Sequence, residues 1–133
     1  MREIRFRAWD KKDSKMFEVK RINFSDKTIH YASTQYLWKV KFEDAELMQY
    51  IGQKDKSEIE IYVGDVLEIP DDYETYGQFA GDKREVIFAY GGFRLKPKWD
   101  VNAKGNYLED AGELRVIGNI YENPELLKQF NND

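Results

Sequence analysis

Through the first third of this sequence apolar and polar residues alternate one for one. That period of two confines the chain to strands more tightly than any motif does. In Glu3-Ile4-Arg5-Phe6-Arg7-Ala8-Trp9 the residues Ile4, Phe6 and Ala8 fall on one face and Arg5, Arg7 and Trp9 on the other, the pattern of a half-buried strand. Asp10 to Lys15 is polar turn chemistry, after which Phe17, Val19 and the stem of Arg21 alternate with Glu18 and Lys20, so the pair reads as a hairpin. Thr28 to Tyr31 is a short third strand. Leu37 to Phe42 alternates again, with Trp38, Val40 and Phe42 opposite Lys39 and Lys41. The first third is therefore expected to be a small antiparallel β unit.

Glu43 to Ile51 carries two patterns: its acidic start suits a helical turn, while Leu47, Gln49 and Ile51 suit a strand, and a strand from Leu47 is the better reading. Gly52 to Ser57 reads as a loop, Ile59 to Tyr62 as a strand, and Gly64-Asp65 as a tight turn feeding Val66 to Ile69. Pro70 to Asp82 is acidic, Tyr-rich and too long for a hairpin connection, so a mobile loop is expected there. Strands are predicted over Lys83–Tyr90, Phe93–Lys96 and Leu114–Tyr121, with Gly91-Gly92 as a turn and Pro97 to Glu113 irregular. At the end, Asn123 as N-cap, Pro124 at the first helical position, and Leu126, Leu127 and Phe130 as an apolar stripe predict a short helix. The expected fold is mainly β: small antiparallel barrel-like (SH3-like) sheets around residues 59 to 121 and a short C-terminal helix.

With 133 residues the chain suffices for one domain. A single domain over 1–133 is expected, with a subdivision into an N-terminal β unit, 1–50, and a barrel with its helix, 51–133. No apolar run is long enough to span a bilayer, and the Met1-Arg2-Glu3 start lacks a signal-peptide core, so residence in the cytoplasm is expected. There is no cysteine and one histidine, His30, which excludes disulfides, thiolate metal sites and cysteine nucleophiles. Net charge is -4, but unevenly placed. Residues 1 to 42 hold eleven basic and five acidic side chains, a net +6, against ten basic and twenty acidic ones, a net -10, over 43 to 133. Such a layout fits a polyanion-binding face, complementary surfaces between subunits, or charges that meet within one fold.

Four separated blocks carry a resemblance: Met1 to Asp10, Leu47 to Asp55, Glu60 to Val66, and Val116 to Leu127. In that order they resemble the YopX family of phage and prophage proteins across nearly the whole chain. The resemblance implies a small β-rich phage-encoded protein of undetermined function, and brings no catalytic residue or cofactor with it.

Single residues offer little chemistry. Asp65 is expected to accept backbone hydrogen bonds in its turn. Asp71, Asp72 and Glu74 lack the spacing that wraps a cation. Gly91-Gly92-Phe93 lacks the lysine and helix of a phosphate loop. His30 has no nucleophile and carboxylate beside it in sequence. We therefore expect no enzyme and no metal site. The leading expectation is an accessory protein that binds other proteins as a homo-oligomer, with Tyr73, Tyr76, Phe79, Trp99 and Tyr107 as an exposed aromatic patch. The competing one is a nucleic-acid binder in which Arg5, Arg7, Lys20, Lys39 and Lys41 gather beside Trp9 on the outward face of the early strands, for which a merely solvated face is the plain alternative.

Overall fold

In a computed structural model the described residues are 3–32, 37–97, 108 and 111–128. Antiparallel strands dominate, and the chain divides into two compact units, Met1–Tyr50 and Ile51–Asp133.

The N-terminal unit opens on the expected hairpin. β1 (Phe6–Asp10) pairs with β2 (Lys15–Glu18), Ala8 opposite Phe17. Buried Asp10 closes the turn by accepting the N–H groups of Lys12 and Asp13. A three-stranded sheet follows, of β3 (Arg21–Asn23), β4 (Thr28–Ala32) and β5 (Leu37–Lys41), in that spatial order. β3 had no signal of its own, because three residues are too few to show a period. The ambiguous segment uses both its patterns in turn: Phe42–Asp44 forms a 3₁₀ turn, and β6 (Ala45–Lys54) begins directly after it, pairing its first half with β1. Ala8, Phe17, Ile29 and Ala45 form the buried core here, with Val19, Tyr31, Val40 and Phe42 packed on it. Trp38, expected inward beside Val40, is 52% exposed.

β6 runs on through Gly52, at φ +85°, so the loop predicted from Gly52 starts only after Lys54. Asp55 organises that loop, its carboxylate accepting N–H groups of Ser57, Ile59 and, from sixty-one residues away, Val116. β7 (Glu60–Tyr62) and β8 (Asp65–Glu68) flank Val63-Gly64, where Asp65 Oδ2 accepts from the Tyr62 N–H at 2.8 Å, as its place in the sequence predicts. β9 (Lys83–Ala89) and β10 (Gly92–Leu95) form a hairpin, and β11 (Arg115–Asn119) completes a sheet of order β10-β9-β8-β11. Ile51, Ile61, Leu67, Ile69, Phe79, Val86, Leu95, Leu108, Ala111 and Leu114 form one core.

The connection from Pro70 to Asp82 corrects the expectation of a loose loop. It contains a one-turn helix, α1 (Tyr73–Tyr76), capped by Asp72, whose carboxylate takes the Thr75 N–H and hydroxyl. A 3₁₀ turn, Gly77–Phe79, then drives Phe79 into the core, under the guanidinium of buried Arg84. Arg84 is itself held by Asp82 Oδ2 at 2.8 Å. The C-terminal helix is a 3₁₀ turn over Pro124–Leu127. Asn123 precedes it as expected but does not cap it; its Oδ1 reaches back to the Asn119 N–H. Phe130 lies outside the described residues.

Candidate functional site

Two surfaces carry chemistry that the fold itself does not use. The first belongs to the N-terminal unit, where the structure divides the six residues predicted to gather. Arg5, Arg7 and Trp9 share the face of β1 opposite Ala8, and all three are half-buried. Arg5 is ion-paired to Glu3 at 2.8 Å and lies over the Tyr50 ring at 4.5 Å, while Arg7 stands opposite Glu18 and Trp9 opposite Glu46. Lys20 bridges to Glu18. These four are bound up in local contacts.

Lys39 and Lys41 lie instead on the three-stranded sheet. Arg21 faces His30 across β3 and β4, and His30 faces Lys39 across β4 and β5; Asn23, Thr28 and Lys41 form the neighbouring row. Directly opposed residues share a face, so Arg21, His30, Lys39 and Lys41 stand on one side and the core residues Ile29 and Val40 on the other. Sequence reasoning missed Arg21 and His30 as members of this face. The missing signal was register, which depends on strand pairing and not on local order. Beside the row opens a cleft of about 850 Å³. Its lining mixes the cations Lys12, Lys27, Lys39 and Lys41 with the carboxylates Asp10, Asp13, Asp26, Glu43 and Asp44. Among the described residues no group of carboxylates and histidine is placed to hold a metal.

The second surface is the tip of the β9–β10 hairpin. Tyr90 at φ +51° and Gly91 at φ +79° make a two-residue turn of the primed kind that matches strand twist. Opposite the buried pair Val86 and Leu95 the next same-face pair is Phe88 and Phe93, in edge-to-face contact at 5.3 Å. Phe93 is half-buried and packs against the core, but Phe88 is 59% and Tyr90 55% exposed, so this end of the hairpin leaves two aromatic rings open to solvent within the unit. From the other face Arg94, almost wholly buried, donates Nε to the Ala89 carbonyl at 2.9 Å and reaches the Tyr90 carbonyl. An arginine pinning two turn carbonyls makes the tip rigid.

The aromatic patch predicted from the loops is not assembled as expected. Tyr73 is 77% exposed, Tyr76 packs against the core and Phe79 is 4% exposed, buried because the 3₁₀ turn points it inward; Trp99 and Tyr107 lie outside the described residues. Glu85 and Asp55 have displaced pKa values. Burial raises Glu85, with Lys96 at 3.9 Å acting the other way. At Asp55 burial pushes up as well, but the N–H donors of Val116, Ile59 and Ser57 and the charge of Arg115 outweigh it and hold the carboxyl below its usual range.

These features define a small antiparallel, barrel-like β protein whose buried carboxylates hold turns. The chain belongs to the YopX family, whose "YopX protein" model matches residues 5–128. Comparison with curated proteins gave no match. Among solved structures it is similar to protein EF1440 from Enterococcus faecalis, at 29% identity and a TM-score of 0.61, and to protein yopX from Bacillus subtilis, at 26% identity and a TM-score of 0.62. Each likeness covers 96% of this chain and all of the other. Among the described residues no helix is long and apolar enough to cross a membrane.

Proposed function

We propose that this protein is a phage or prophage accessory factor of the host-cell cytoplasm that acts by binding other proteins, not by catalysis, and does so as a homo-oligomer. The observation that supports this best is the hairpin tip: two aromatic side chains carried past the core on a turn stiffened by buried Arg94. Exposed, pre-organised aromatics are the usual anchors of protein interfaces, since each buries a large area at little entropic cost. Charge favours self-association as the form. Residues 1–50 hold eleven basic against eight acidic side chains, and residues 51–133 ten against seventeen, so the units carry opposite net charge and copies attract through unlike faces.

Sedimentation of the purified protein at several concentrations tests the reading. The intact chain is expected above monomer mass, and Phe88→Ser with Tyr90→Ser is expected to sediment as monomer while keeping the wild-type circular dichroism spectrum. A wild-type chain that stays monomeric throughout would overturn it.

A further inference from the structure

One face of the three-stranded sheet gathers cations that make no ion pair among the described residues. Arg21, His30 and Lys39 stand side by side across three strands, with neighbouring Cβ atoms about 5 Å apart. Lys41 lies two residues along the same face from Lys39, about 7 Å away. Arg21, Lys39 and Lys41 are like charges on one sheet face and repel, and a nearby carboxylate is the ordinary remedy. Among the described residues none lies within 4 Å of Arg21, Lys39 or Lys41, whereas Lys11, Lys12 and Lys20 of the same unit each have one.

The residue in the middle of the row is held in place. Thr28 Oγ1 lies 2.5 Å from Asp26 Oδ1 and 2.9 Å from His30 Nε2. A hydroxyl has one proton, and the carboxylate takes it, so the imidazole must donate Nε2–H to Thr28. The ring is thereby oriented between its two cationic neighbours with Nε2 committed. At the turn that ends this face Phe24 is 77% exposed, its ring in T-shaped contact with Phe42 at a centroid distance of 6.1 Å. Lys39 and Lys41 also line the adjoining cleft, where Asp10, Asp13, Asp26, Glu43 and Asp44 make the interior unfavourable for an anion, so a polyanion would track across the strands and not into the cleft.

We propose that this face, Arg21–His30–Lys39 with Lys41, together with Phe24 at the turn that ends it, binds the sugar–phosphate backbone of a single-stranded nucleic acid. Three cations on this face, Arg21 and Lys39 in one row and Lys41 in the next, match a short run of phosphates. An exposed ring at the end of the face suits an unpaired base, which can stack, and is of no use to a duplex whose bases are already stacked. This proposal uses none of the hairpin residues and stands or falls apart from self-association.

Fluorescence anisotropy with a labelled oligothymidine tests it. Saturable binding at low salt is expected, with three phosphates neutralised giving a slope of log affinity against log salt of about -2. Arg21→Gln with Lys39→Gln should weaken binding tenfold or more and flatten the slope. Phe24→Ala should weaken it at least fivefold and leave the slope as it is, since a base stack releases no counterion. Lys56→Gln with Lys83→Gln, the same charge change in the C-terminal unit, should leave binding unchanged. The proposal is overturned by absence of binding at low salt, by a wild-type affinity in the Arg21/Lys39 double variant, by an equal loss in the C-terminal control, or by preference for duplex over single strand. All the substituted side chains but Phe24 are solvated and polar, and a circular dichroism spectrum matching wild type certifies each variant as folded.

Discussion

The two units solve the same problem with different means. Among the described residues the C-terminal unit has ten buried apolar residues in one cluster and places buried polar groups where turns need them, Asp55 and Asp65 accepting backbone N–H groups and Arg94 holding carbonyls. The N-terminal unit has there a buried cluster of four, two of them alanines, besides buried Met48 and Tyr50, and sets on one face of its second sheet three cations without an ion pair. A region with little apolar area to bury has little stability to give away, so a repulsive row is more conspicuous there than in the larger core. A carboxylate that holds a turn explains itself structurally, whereas an unpaired cation row does not.

Removing Asp55 should cost most. Asp55→Ala orphans three N–H groups at a buried position and is expected to destabilise by about 4 kcal/mol, read as a fall in urea midpoint. Because its folded pKa is lowered, the stability it supplies is complete above the ordinary carboxylate pKa, near 4, and is lost as pH falls toward the folded value. The wild-type advantage over Asp55→Ala should thus narrow in acid; a gap independent of pH down to about 2 would count against a charged Asp55.

Core truncations sharpen the contrast between units. Ile61→Ala and Ile29→Ala, each emptying a fully buried site, should each cost about 3 kcal/mol. Hydrogen exchange should show Ile29→Ala loosening amides of β3, β4 and β5 more than those of β8 and β9. Equal loosening of all five strands would mean that the molecule opens as one and the comparison fails.

Gly118→Ala comes next. At the irregularity where β11 shifts register against β8, a Cβ on Gly118 would stand 2.5 Å from Asn123 Oδ1 and 2.8 Å from Leu126 Cδ1. A methyl there must push both side chains aside and disturb the bond from the Asn119 N–H to Asn123 Oδ1, and a loss of about 2 kcal/mol is expected, seen as a lower Tm.

The smallest effect has the opposite sign. Tyr90 holds a left-handed backbone that asparagine adopts more readily, so Tyr90→Asn should stabilise by up to about 1 kcal/mol and at the same time weaken self-association. Stabilisation with assembly unchanged would remove Tyr90 from the interface.

Much of the fold was legible, and the four blocks that carry the family resemblance show why. Each contains a turn device: Asp10 in the first hairpin, Asp55 after β6, Gly64-Asp65 between β7 and β8, and Asn119, whose Oδ1 takes the N–H groups of Tyr121 and Glu122. Side chains that bond within a few residues of themselves leave a local imprint, and so do alternating strands. Those blocks therefore speak of folding and are silent about function. Arg5, Arg7 and Trp9 were misjudged as solvent-facing partners of Lys39 because alternation assigns two faces to a strand without saying what covers either one.

By itself, then, the sequence determined the β class, the antiparallel hairpins, the turn at Gly64-Asp65 and the family. Tertiary structure alone decided that Phe79 is buried and Phe88 is not, that Arg21 and His30 join Lys39, and that Asp55 reaches Val116. The physical reason is range: periodicity and turn chemistry act over two to five residues, whereas register, burial and the neutralisation of charge depend on which strand, tens of residues away, is laid alongside.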